Sequence, residues 1–221
     1  SFELNQGQTN TQVRFLARSG GYVLFLTATE AVMALNNPAA HKKGKENRES
    51  RNRTDDKESG ESVAQPPRRI VRMKLEGANP DPRIEGLEPL PTTSNYFAGA
   101  DPAAWHTNIA SFTRVRYTQI YPGIDMVYYG NQQELEYDLI VAARANPKLI
   151  RFTVEGADKV RLDKTGRLLL TLKHGEVSLN KPVIYQLSDN GSRREIKGGY
   201  SLKGNEVRFK LETFDSSKPL V

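Results

Sequence analysis

A chain of 221 residues, 37% hydrophobic and 26% charged, is long enough to bury a sizeable core as one large all-β domain or two small ones. Its formal charge of +6 permits contact with a polyanion, but bases and acids are mixed along the chain, so a solvated surface is expected and nucleic acid is not expected as a partner. Cysteine is absent, which excludes disulfides, thiolate catalysis and Cys-based zinc sites, and no apolar run approaches the roughly 20 residues of a membrane-spanning helix. The chain starts at Ser1 with neither an initiator Met nor a signal peptide, which reads as a trimmed or processed start.

Ser1–Asn10 is polar, with Gly7 as a turn residue. Val13–Ala17 alternates, Gly20-Gly21 marks a tight connection, and Tyr22–Thr27 (YVLFLT) is a continuous apolar run that predicts a central strand covered on both faces. Glu30–Leu35 has helical propensity, but it is short and follows a strand closely, so it reads as the next strand of a hairpin bent at Thr27–Thr29. Residues 37–69 then change character: almost no apolar side chains, charges of both signs and a Pro-Pro near the end. Such a composition cannot bury enough surface to offset its ordering entropy, so a long disordered charged insert is expected. Closure entropy grows only logarithmically with loop length, which lets the insert sit between two paired strands.

Ile70–Leu75 alternates as a strand; Gly77–Leu90 is rich in Pro and Gly, with Ile84 and Leu87 as anchors; Ser94–Trp105 is turn-rich and aromatic. Phe112–Tyr117 predicts another strand, with Phe112 and Val115 out of phase as at a bulge. The most specific stretch is Tyr117–Ala143, where the apolar-rich runs Ile124–Tyr129 and Leu135–Val141 flank Gly130-Asn131-Gln132-Gln133, a β-hairpin signature. The period-two rule places Leu135, Tyr137 and Leu139 on one face and Glu134, Glu136 and Asp138 on the other.

The last third reads as a meander of strands at Leu149–Glu155, Val160–Asp163, Arg167–Leu172, Glu176–Leu179, Val183–Gln186, Glu195–Leu202 and Glu206–Leu211. Gly or Asx turns recur at intervals of about 8–12 residues, the spacing of an all-β sandwich. The expectation is therefore an all-β, antiparallel, two-sheet β-sandwich, a single domain over 1–221, with helix confined to one turn near Pro102–Trp105.

Asp125, Glu134, Glu136 and Asp138 form the one cluster of carboxylates in a plausible shared patch. A Ca²⁺ site needs six to eight oxygens, usually from a loop, and a glycosidase needs two carboxyls in a cleft. Alternating acids on a strand more often face solvent or pair across it, here with Arg114 or Arg116. His41, His106 and His174 share no ligand spacing such as HxH or HExxH, and no metal site is expected. No GxSxG elbow, Walker motif or dinucleotide glycine fingerprint occurs, so no catalytic residue and no cofactor are assigned. Tyr96, Trp105, Tyr121 and Tyr128 are candidates for an exposed aromatic shelf that stacks on sugar rings; the alternative is that such rings plug the ends of the sandwich, their hydroxyls satisfied by backbone.

The strings FELNQGQ, VRFLARSGGYVLFLTATEAVMAL, IEGLEPLPTTSNYFAGADPAAWHTNI and VRYTQIYPGIDMVYYGNQQELEYDLIVA, with the ending GGYSLKGNEVRFKLETFDSSKPLV, resemble the N-terminal domain of bacterial SBBP-repeat (β-propeller repeat) proteins. The resemblance spans nearly the whole chain outside the insert. It implies a secreted or cell-surface location, a β-rich domain preceding repeat blades, and a downstream repeat domain of the same protein as partner. It supplies no catalytic residue. The expected function is a non-catalytic extracellular module for adhesion, scaffolding or capping of the repeat array. The alternatives are a module binding cell-surface polysaccharide through Tyr96, Trp105 and Tyr128, and a carbohydrate-active enzyme using Glu134, Glu136 or Asp125.

Overall fold

The computed structural model describes residues 1–36, 69–97, 99–131, 134–173, 175–188 and 191–221. The insert expected at 37–69 therefore lies outside the described residues except for Arg69, as do His41 and His174.

The described residues form strands joined by turns, with two single-turn 3₁₀ segments at Pro102–Ala104 and Pro147–Leu149. Asp101 and Asn146 cap these turns by accepting the N–H of Ala103 at 2.9 Å and of Lys148 at 3.1 Å. The chain runs through β1 (Phe2–Leu4), β2 (Phe15–Arg18), β3 (Tyr22–Leu26), β4 (Glu30–Leu35) and β5 (Arg69–Leu75). A long hairpin of β6 (Arg83–Tyr96) and β7 (His106–Tyr121) follows, then β8 (Ile124–Asn131) and β9 (Glu134–Val141). The last third holds β10 (Arg151–Glu155), β11 (Lys159–Leu162), β12 (Leu168–Leu172), β13 (Gly175–Leu179), β14 (Tyr185–Leu187), β15 (Arg193–Glu195), β16 (Gly198–Lys203) and β17 (Glu206–Leu211).

Twelve strands make one antiparallel sheet in the order β16-β17-β10-β5-β4-β3-β2-β1-β7-β8-β9, with β6 also on β7. β11-β12-β13 form a second sheet and β14-β15 a separate ribbon. Leu35 pairs with Arg69, so β4 and β5, which flank residues 37–68 in the sequence, are neighbouring strands. The β8–β9 hairpin runs in unbroken register from Ile124↔Val141 to Asn131↔Glu134, as the alternation in the sequence predicts.

The last third does not continue as one meander. β10 is drawn between β5 and β17, while β12 carries Leu168, Leu170 and Leu172 into the buried cluster that also holds Phe15, Leu24 and Phe152 of the large sheet. Two β layers thus share one core. Burying such a side chain stabilises by about 1.5–3 kcal/mol before entropy is counted. Leu16, Val23, Val32 and Ala34, at alternate positions to the core residues of β2–β4, are buried too, in keeping with central strands covered on both faces.

The stretch read as a Pro/Gly-rich segment, Gly77–Leu90, contributes the first half of β6. Pro is tolerated there because β6 pairs only with β7 among the described strands, and the register shifts between Pro89 and Thr93. Gly86 is required by packing: a Cβ at that position would stand 2.4 Å from Cγ of Phe112. At the far end of this hairpin the Tyr96 hydroxyl donates to Glu3 and accepts from Arg18 Nε at 3.2 Å, which ties the hairpin to β1 and β2.

Candidate functional site

The register places Asp125, Glu134, Glu136 and Asp138 on one face of the β8–β9 hairpin, together with Val127, Tyr129 and the facing Arg116 of β7. Asp125 is committed: Oδ2 accepts from Arg116 Nη2 at 2.5 Å and Nε at 3.2 Å, and Oδ1 accepts the Gln119 N–H at 2.8 Å. Gln119 has a left-handed backbone (φ 57°) within the register shift between Tyr117 and Tyr121, and its Oε1 accepts the Gly123 N–H at 3.0 Å. Asp125 therefore fixes the bulge that turns β7 into β8.

Asp138 accepts from the Tyr129 hydroxyl at 3.0 Å. Burial, then the bond to Asp138, push the Tyr129 phenol far above its usual range, so it remains a donor. Arg114 lies 5.7 Å from the Tyr129 ring centroid and 3.4 Å from Glu88. The acids are thus interleaved with cations and a phenol, the cross-strand pairing expected of a surface ribbon. Among the described residues, no group of three or more His, Asp or Glu side chains is placed to hold a metal ion.

The four aromatic candidates do not form one shelf. Tyr121 and Tyr128 are 1% and 4% exposed and belong to the core. Tyr121 Oη donates to the Arg151 carbonyl at 3.0 Å, and Tyr128 alternates inward with Ile124 and Met126. Tyr96 is half-buried in its bonds to Glu3 and Arg18. Trp105 is 38% exposed; it packs edge-on against Phe97, itself 63% exposed, at 5.1 Å, and donates Nε1–H to the Gly99 carbonyl at 3.3 Å.

A feature that sequence reasoning missed is a cleft of about 680 Å³ between β3–β5 on one side and β8–β9, β13 and β16–β17 on the other. Met33, Leu35 and Met73 line one wall, and Leu135, Leu139 and Phe209 line others. Tyr128, Tyr137, Tyr200, Glu176 and Lys181 also line it, as do Glu134, Glu136 and Asp138, whose side chains alternate to the opposite face of β9 from Tyr137. The C-terminal Leu220 and Val221 complete a wall. Leu220 bridges Val141, and Val221 exchanges two backbone hydrogen bonds of 2.8 and 3.0 Å with Tyr185. Asp125 is not among the lining residues. The size lies within the range of about 300–1,000 Å³ usual for small-molecule sites, whose walls are mostly apolar.

No helix among the described residues is long and apolar enough to cross a membrane. Comparison with curated proteins and with solved structures finds no match. One family model, the Domain of unknown function (DUF7948), matches residues 2–221, nearly the entire length, and the chain belongs to that family.

Proposed function

We propose that the chain is a non-catalytic β-module of a secreted or cell-surface bacterial protein, and that it works by binding an apolar partner in its cleft. The observation that carries this reading is the division of chemistry between two places. The cleft has walls of Met, Leu and Phe, whereas Asp125 lies outside it, spent on Arg116 and the bulge at Gln119. The test is titration with the neutral, environment-sensitive dye Nile red. Wild-type chain is expected to raise and blue-shift its emission, and Met73→Trp, which fills the cleft, to abolish the response while retaining the β-type circular dichroism spectrum. Equal emission from both chains would overturn the reading.

The setting we propose is adhesion, scaffolding or capping of a following β-propeller-type repeat array, supported by the resemblance to the N-terminal domain of SBBP-repeat proteins. A repeat array needs its terminal edge covered, and a β-rich neighbour can supply that cover. Removing the domain from a protein that carries both is expected to lower the unfolding midpoint of the repeats. An unchanged midpoint rejects capping.

A second reading, carbohydrate binding, is favoured by the exposed Phe97–Trp105 pair. It predicts a change in Trp105 fluorescence on titration with bacterial polysaccharide, and an unchanged spectrum rejects it.

A further inference from the structure

The cleft runs along the edge of a strand rather than over one face of it. Leu135, Tyr137 and Leu139 alternate to one side of β9 and Glu134, Glu136 and Asp138 to the other, yet all six border the cavity. Side chains from both faces border one cavity when it lies along the strand's edge. β9 ends the large sheet: β8 lies on one side of it, and no described strand lies along the other.

One rung of that edge is already taken. Val141 exchanges two backbone hydrogen bonds with Leu220, at 2.8 and 2.9 Å, while the Ala142 N–H turns back to the Gly123 carbonyl. By the two-residue period, the N–H and C=O of Leu139, Tyr137 and Leu135 also point away from β8. The next tail residue, Val221, bonds instead to Tyr185 on the opposite bank, at 2.8 and 3.0 Å. The tail thus fills the gap between β9 and β14 as a single extended segment. Farther along, the cleft continues this gap between residues 135–139 and residues 180–184.

Charge selects the strand that fits. On the face away from Tyr137, β9 carries Glu134, Glu136 and Asp138. The cations that β7 puts on that face are engaged, Arg116 with Asp125 at 2.5 Å and Arg114 with Glu88 at 3.4 Å. A second copy of β9 would set acids against acids across the new pair, which disfavours self-pairing. A different strand gains from bases on that face and from apolar side chains on the other, beside Leu135 and Leu139.

Deepening the binding role proposed above, on which it rests, we infer that β9 takes an extended strand of another polypeptide, antiparallel and in line with the Leu220 rung. The strand alternates apolar residues toward the cleft with Lys or Arg toward the acids. Main-chain bonds to Leu135, Tyr137 and Leu139 supply affinity, and the alternating side chains supply selectivity.

The test titrates wild-type chain into a fluorescein-labelled peptide, Val-Lys-Val-Lys-Val-Lys-Val, with anisotropy and residue-resolved hydrogen exchange as readouts. One control peptide has Glu in place of Lys. The other is N-methylated at each Val, which removes the edge donors but keeps side chains and charge. The Lys peptide is expected to bind at least about tenfold more tightly than either control, and to slow exchange of the Leu135, Tyr137 and Leu139 amides by a similar factor. The Glu136 and Asp138 amides, already directed at β8, should change little. Glu134→Lys, at an exposed position, is expected to weaken the Lys peptide about threefold with the circular dichroism spectrum retained. Equal binding of the N-methylated peptide overturns the strand, and equal binding of the Glu peptide overturns the charge selection. A peptide-free chain that sediments as a dimer, with those three amides already slow, overturns the inference in favour of self-pairing. The peptide series uses wild-type chain and so stands even if the variant folds poorly. If neither Nile red nor the Lys peptide binds, the binding role itself fails; if the dye binds and no peptide does, only the strand fails.

Discussion

The side-chain amide of Gln186 closes a two-way bond with the backbone of Asp215: Nε2 donates to the Asp215 carbonyl at 2.8 Å, and Oε1 accepts the Asp215 N–H at 3.0 Å. The same Nε2 lies 3.2 Å from the Lys218 carbonyl and 3.3 Å from that of Pro219. Gln186 is 3% exposed, so water cannot replace these partners. One side chain thus holds the segment that delivers Leu220 to Val141 and sets Leu220 and Val221 into the cleft wall.

Gln186→Ala leaves the Asp215 N–H and up to three carbonyls without their partner and is expected to cost about 2–3 kcal/mol. Denaturant unfolding reads the loss, and amide hydrogen exchange locates it: Asp215 and Val221 should exchange faster than the β8–β9 hairpin. If stability falls but exchange at Asp215 and Val221 is unchanged, the tail is held by something other than this amide.

Gly156 closes the turn after β10 with φ +83°, and a Cβ there would stand 2.0 Å from the Ile70 carbonyl oxygen. Gly156→Ala must therefore move the backbone of β5 as well as occupy a left-handed conformation, and is expected to cost more than about 2 kcal/mol. Gly204 has φ +60° but open space at the Cβ position. Gly204→Asn is accordingly expected to stay within about 0.5 kcal/mol, because Asn accepts this conformation. Thermal unfolding of the two variants separates crowding from conformation.

The hairpin at Tyr117–Ala143 was legible because its information is local: two-residue alternation in β9 and β-branched and aromatic residues in β8 settle the faces, and the register confirms them. The placing of the insert between paired strands was legible for a similar reason, since composition changes abruptly after Asn36 and reverts at Ile70. β6 was obscured by Gly86, Pro89 and Pro91, which mark an edge strand and a close ring contact once Phe112 is in place. Tyr121 and Tyr128 carry no local sign of which side they face until β7 and β8 are paired. The cleft was invisible because Met33, Met73, Tyr137 and Tyr200 come from β4, β5, β9 and β16 and meet only through the order of the large sheet.

Asp163 organises the β11–β12 turn: Oδ1 accepts from Thr165 N at 2.8 Å, Thr165 Oγ1 at 2.7 Å and Arg167 N at 3.0 Å, while Oδ2 accepts from Arg167 Nε at 2.8 Å. The Thr165 and Arg167 side-chain bonds hold its carboxyl well below the usual carboxylate range. A depressed folded-state value means that the contribution is fully present above the unfolded-state value of about 3.9 and is lost as pH falls from there toward the folded-state value. In an NMR titration the Asp163 carboxyl is expected to remain ionised at about pH 3, where ordinary Asp side chains, with values near 3.9, are mostly protonated. Asp163→Ala is expected to flatten the acid limb of the stability curve. Ordinary titration of this carboxyl near pH 4 would contradict the hydrogen-bonded turn.

Tyr121 and Trp105 look alike as aromatic candidates in the sequence, yet their surroundings predict opposite behaviour. Tyr121 is 1% exposed, and its hydroxyl lies 3.0 Å from the Arg151 carbonyl and 3.3 Å from that of Glu76, so it links β7 to the β5–β10 region. Tyr121→Phe removes the donor alone and is expected to cost about 1 kcal/mol, whereas Tyr121→Ala also opens a core cavity and is expected to cost about 3–5 kcal/mol. Trp105 stands 38% exposed against Phe97 on the hairpin loop. Trp105→Ala is therefore expected to change stability by about 0.5–1 kcal/mol, the worth of one exposed ring pair. Its effect should be confined to any ligand that docks on that surface. Urea unfolding of the three variants, followed by far-ultraviolet circular dichroism, checks the order. A Trp105→Ala loss as large as that of Tyr121→Ala would place Trp105 in the core and remove the basis for the carbohydrate reading.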